Sequence, residues 1–202
     1  MNGTFVWTTL ALGLGVVMVR RRSMALALVT AQSLGIVALA LHRAADVHDL
    51  LAAGGIAGRA LVLAAVFLPL ISRTRERRAV LPDLAPLRRG GLAVLLALGL
   101  VWLLPATGPC SDDAGRAAAG LVAFGMVTAA SHRATLFQVL GIVLVENGLA
   151  LAALSLPGTS WLIELGVAFD LTLLGLVAGV FHQRIFVEFG AGDTGVLRSL
   201  RD

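Results

Sequence analysis

An all-α integral membrane bundle of about seven transmembrane helices is the fold class this sequence predicts, and three observations predict it. The 202-residue chain is 58% hydrophobic and only 14% charged, too few charges to cover a soluble domain of this size. Its apolar residues gather into seven runs near the length that crosses a bilayer. Its sixteen basic residues, every one an arginine, fall mostly in the short segments between alternate runs.

A spanning helix needs roughly 17–25 mostly apolar residues, with some mismatch absorbed by tilt or thinning. The runs lie at about 4–19, 24–41, 50–71, 91–106, 116–131, 135–155 and 161–182. The first follows Met1-Asn2-Gly3-Thr4, which has no basic n-region, and reads as a retained helix and not as a cleaved signal peptide. Arg20, Arg21 and Arg22 separate it from the second. The turn before the third holds Asp46, His48 and Asp49; a solvated loop is the reading, since no second ligand cluster accompanies them as a metal site would need. Between the third and fourth runs, Ser72 to Gly90 carries six arginines with Pro82 and Pro86, a topology anchor or a docking surface for a cytoplasmic partner. Pro109, Cys110, Asp112 and Asp113 form a turn before the fifth run, and Arg133 precedes the sixth. The Leu156-Pro157-Gly158-Thr159-Ser160 turn makes the sixth and seventh antiparallel neighbours. In the seventh, the four-apart pair Gly175 and Gly179 allows close packing. Residues 1–184 thus form the transmembrane domain and 185–202 a short polar tail. The first and fourth runs are short, which leaves six helices as the alternative.

Thirteen arginines fall on one side of the alternating runs, against Arg43, Arg59 and Arg116 at or within the other segments. Arginine-rich loops stay cytoplasmic, so the amino terminus is expected outside and the carboxyl terminus inside. This placement makes the basic balance a topology signal and not a nucleic-acid footprint. One cysteine excludes both an internal disulfide and a Cys-ligated iron–sulfur cluster held by this chain alone. No nucleophile elbow, zinc-binding helix motif, redox Cys pair or phosphate-cradling glycine loop is present, so no catalytic centre, metal or cofactor is expected within the chain.

Charges inside apolar runs are costly, about 2.5–3.5 kcal/mol each even on the lenient insertion scale, and are functional candidates by default. Glu146 lies nine residues before Ser155 and Asp170 nine after Trp161, so both sit ~13–14 Å below one surface. If close, they would share a proton. Glu164 is shallower and, six residues from Asp170, about 120° away around the helix; it reads either as an outer relay or as an interfacial carboxylate. Arg59 lies about nine residues into the third run, where its permanent charge can neutralise a carboxylate; the alternative starts that helix near Gly58 with Arg59 snorkelling outward. Gln32, mid-way along the second run, can hold a water or another helix. His132 and His182 stand at helix ends on the cytoplasmic side, as interfacial residues or as an entry relay.

Three segments carry a resemblance. Thr30-Ala31-Gln32-Ser33-Leu34, Val145-Glu146-Asn147-Gly148, and Ile163-Glu164-Leu165-Gly166 with Phe169-Asp170 resemble the hydrogenase-4 component E family. That family is the membrane subunit of group 4 nickel–iron hydrogenase and formate hydrogenlyase complexes, itself similar to the K-type subunit of respiratory complex I. The resemblance covers essentially the whole chain, and its most specific part is the glutamate-asparagine-glycine element with the two acids downstream. It implies a non-catalytic subunit of a prokaryotic cell membrane complex that conducts protons or couples redox energy to them. Implied partners are antiporter-like subunits, a membrane anchor and a cytoplasmic nickel–iron and iron–sulfur arm, with no cofactor in this chain. Two positions depart from the pattern: Arg59 stands where relatives carry lysine, and Gln32 where the K-type subunit carries glutamate. A structural wedge in such a complex and an independent cation/proton antiporter component are the rival readings.

Overall fold

A computed structural model describes residues 3–44, 46–73, 85–103, 113–132, 134–155 and 166. Among the described residues the chain is helical throughout: α1 (Gly3–Met18), α2 (Arg22–Arg43), α3 (Val47–Arg73), α4 (Pro86–Leu103), α5 (Asp113–Ser131) and α6 (Thr135–Ala153). Helices α2 to α6 are each long and apolar enough to cross a membrane, while α1 is a shorter apolar helix of 16 residues. The predicted seventh helix, 161–182, lies outside the described residues except for Gly166.

Local chemistry sets the boundaries. Asp46 precedes α3, and its carboxylate accepts the Asp49 backbone N–H at 2.9 Å, the bond of a helix N-cap. The acidic turn before α3 therefore has a structural task. Pro86 opens α4 at the position where its missing N–H costs nothing and its fixed φ suits the helix. As a result α4 begins earlier than its apolar run, and the expected 72–90 loop loses Arg88 and Arg89 to the helix. Arg22, read as a loop residue, likewise becomes the first residue of α2.

Helices α1, α2, α6 and α5 form a four-helix core in which each packs on the next and α5 returns to α1. α3 lies against α2, and α4 against α1 and α5. The α5–α6 contact is the closest. Gly125 and Gly141 face each other so tightly that a Cβ on Gly125 would lie 2.5 Å from the Gly141 carbonyl oxygen. Gly148 meets the Ala118 carbonyl in the same way. Lipid offers no hydrophobic gain for helix association, so small residues that let backbones touch carry this interface. The remaining core is apolar, with Leu26 and Val29 of α2, Leu63 and Phe67 of α3, and Phe137, Leu140 and Leu144 of α6 in one cluster. The outer faces are also apolar: Leu61, Leu95, Leu98 and Trp102 are exposed, while Gln32, Ser33, Arg59 and Asn147 are buried. Polar inside and apolar outside is the pattern of a protein solvated by lipid.

Candidate functional site

Several buried polar residues converge on a network in the middle of the bundle. Thr9, Gln32, Ser33, Arg59, Glu146 and Asn147 each stand at least six residues from either end of their helices. Arg59 reaches from α3 to α6, where Nη1 donates to Glu146 Oε2 at 2.8 Å and Nη2 to Asn147 Oδ1 at 2.5 Å. The starting point of α3 at Val47 puts Arg59 well inside the helix, with 2% of its side chain exposed, so it does not snorkel outward. Glu146 keeps 14% of its side chain accessible. The cation is enclosed, and its carboxylate partner is partly accessible.

The rest of the network fixes the amide orientations. Gln32 Nε2 donates to the Thr9 carbonyl of α1 at 2.9 Å. That turns Gln32 Oε1 toward α6, where it accepts from Asn147 Nδ2 at 2.9 Å. Asn147 Nδ2 also donates to Ser33 Oγ at 3.0 Å. With both amide hydrogens on α2, Asn147 can present only Oδ1 to the guanidinium. A backbone carbonyl on α1 thereby determines, through two side-chain amides, what Arg59 meets on α6. Gly13 makes room for this, since a Cβ there would lie 3.2 Å from Gln32 Nε2. Ser33, Asn147 and the Thr9 carbonyl escape sequence reasoning as site members. The signal available was polarity itself: Gln32-Ser33 and Glu146-Asn147 are adjacent polar pairs inside apolar runs.

A second buried polar cluster lies at the end of the bundle that holds the α1–α2 and α5–α6 turns. Arg89 of α4 is fully buried; Nη1 contacts His132 Nε2, and Nη2 donates to the Met18 carbonyl at 3.4 Å. His132 stacks on Phe137 with ring centroids 4.1 Å apart, and its Nδ1 lies 3.0 Å from the Thr128 carbonyl. A permanently charged guanidinium needs an acceptor, so Nε2 must carry the lone pair and Nδ1 the proton donated to Thr128. Burial, with the Arg89 charge adding to it, pushes His132 from the ordinary 6.5 down to about 4 against the opposing Thr128 bond. His132 is thus neutral near pH 7 and ties α4 to the α5–α6 turn. That is a structural task.

Comparison with protein-family models, with curated proteins and with solved structures gives no match.

Of the residues singled out in the sequence, the fold brings Gln32, Arg59 and Glu146 together and leaves His132 at the far end. Asp170, Glu164 and His182 lie outside the described residues, and with them the expected Glu146–Asp170 pairing. Among the described residues no three His, Cys, Asp or Glu side chains come close enough to hold a metal ion. Chemically, the central network can hold an ionised carboxylate against a fixed cation at membrane depth and orient a chain of donors and acceptors across α1, α2, α3 and α6.

Proposed function

We propose that this chain is a non-catalytic subunit of a membrane redox complex, of the hydrogenase-4 component E type, and that it helps move or couple protons through Glu146. One observation carries this reading: a partly accessible carboxylate paired with an enclosed cation, more than a turn from any helix end. Ionisable groups at such depth are expensive and are retained for ion pathways or for assembly. Arg59 holds no transferable proton, so its part is to set the field felt by a proton on or near Glu146. The resemblance of the Gln32, Glu146 and Glu164–Asp170 segments to that family supports the same direction. The chain then sits in a prokaryotic cell membrane with its amino terminus outside and its carboxyl terminus in the cytoplasm. It works beside antiporter-like and anchor subunits and a cytoplasmic nickel–iron and iron–sulfur arm, with Asp170 and Glu164 as further carriers.

A second reading is an assembly wedge, in which the buried carboxylates pair across an interface with neighbouring subunits. The two readings separate in one experiment on the native complex. Glu146→Gln combined with Asp170→Asn is expected to leave the complex assembled while proton pumping falls. Loss of assembly selects the wedge, and unchanged assembly with unchanged pumping defeats the coupling role. Affinity purification of the tagged chain from its native membrane tests the partner set directly: recovery alone, or only with ion-transporter subunits, would turn the reading to an independent antiporter.

A further inference from the structure

A cavity of about 560 Å³ opens on the outside of the bundle between α1, α4 and α5. Small residues of α5, Ala117 and Gly120, form part of its floor, and at Gly120 a Cβ would meet Leu10 of α1 at 2.7 Å. The groove follows α1 from Gly3 to Leu14, about 16 Å at 1.5 Å per residue. That is one half of a hydrocarbon core ~30 Å thick, too short for a second transmembrane helix and matched to one leaflet. Its walls are apolar down to Phe124, and its mouth is not: Arg116 and Asp113 of α5 stand there. Arg116 lies 3.9 Å from the Asp113 carboxylate, an exposed ion pair beyond hydrogen-bond distance that leaves its N–H donors available. Trp7, at the start of α1, and Trp102, at the end of α4, are 72% and 88% exposed at this same end. Exposed tryptophans mark the headgroup level of a bilayer.

We infer that this groove binds one glycerophospholipid, with an acyl chain lying between α1 and α4 and the phosphodiester on Arg116. The length of the groove, its apolar walls and the cation at headgroup depth fit a single lipid of that leaflet. The site is independent of the Arg59–Glu146 network and of the coupling role, and requires only that the chain is embedded in lipid.

The test uses the full chain in detergent, stripped of lipid, with Trp102→Phe and Trp161→Phe so that Trp7 is the one fluorophore. Phosphatidylglycerol with brominated acyl chains is titrated in. Quenching of Trp7 is expected to saturate near one lipid per chain. Ala11→Phe, an exposed position on the groove wall, should abolish the saturable phase, and Arg116→Gln should weaken it about tenfold, as loss of a charge-assisted hydrogen bond predicts. Quenching that rises in proportion to lipid without saturating, or that ignores both substitutions, overturns the site. Equal saturation by brominated diacylglycerol, which has no phosphate, overturns the role of Arg116. Loss of the saturable phase when the chain is purified with its partner subunits overturns a lipid as the occupant.

Discussion

Arg59 on α3 and Glu146 on α6 lie 87 residues apart in the chain and 2.8 Å apart in the fold. The pair joins a flanking helix to the four-helix core, and Asn147 secures the second arm of the guanidinium. Removing one partner of a buried ion pair costs more than the pair contributes.

Arg59→Gln is therefore expected to lower stability by on the order of 3 kcal/mol. The Arg59→Gln/Glu146→Gln double substitution should recover part of that loss, because neither member of the pair then faces the other's absence as a charge. Thermal unfolding of the four members of this cycle in detergent measures it. Additive losses would show that the two side chains do not interact.

Asn147→Leu removes one acceptor for Arg59 and one donor for Gln32, and should cost about 1–3 kcal/mol for the polar groups it strands. Asn147→Asp keeps the acceptor facing Arg59 and loses the donor facing Gln32. It should fall between the parent and Asn147→Leu in melting temperature. Equal destabilisation by the two would mean that the bond to Arg59 contributes nothing.

Gly125→Val and Gly141→Val should separate α5 from α6, since even a Cβ would lie 2.5 to 2.7 Å from carbonyl oxygens of the facing helix. Overpacking typically costs 1–3 kcal/mol, and contact with backbone belongs at the upper end because it cannot turn aside as a side chain can. Gly54→Val, where nothing lies within 4 Å, is the control. Disulfide cross-linking between cysteines placed on α5 and α6 reports the separation.

His132 predicts a pH dependence with a definite sign. Its folded value of about 4 lies below the ordinary 6.5, so between them the unfolded chain binds the proton and the folded one does not. Stability is then complete above pH 6.5 and falls as the pH drops toward 4, by up to about 3 kcal/mol. His132→Gln, which can accept from Arg89 without titrating, should flatten this slope in acid melting curves. An unchanged slope would place the acid sensitivity elsewhere.

The helices were largely legible because each is a run of apolar residues, and burial of backbone polar groups in lipid forces such a run into a helix. The start of α4 was not, since hydropathy alone sees Arg88 and Arg89 as loop residues, whereas Pro86 opens the helix ahead of them. Gln32, Arg59 and Glu146 stood out as polar residues in apolar surroundings. The glycines that matter most, Gly125 and Gly141, did not, because a chain with 23 glycines offers no periodic cue to which of them meet.

By itself the sequence determined an all-helical, multi-pass architecture and the position of its polar residues along each helix, because hydrophobic run length and residue rise are local properties. Only the tertiary structure decided which of those residues meet. Side-chain pairing depends on how helices rotate and pack against one another, and that is set by small residues such as Gly125, Gly141 and Gly13, whose effect appears only when two backbones approach. Along the chain Arg59 also reads as an outward-reaching cation; the packing of α3 on α2 turns it inward to Glu146 and Asn147.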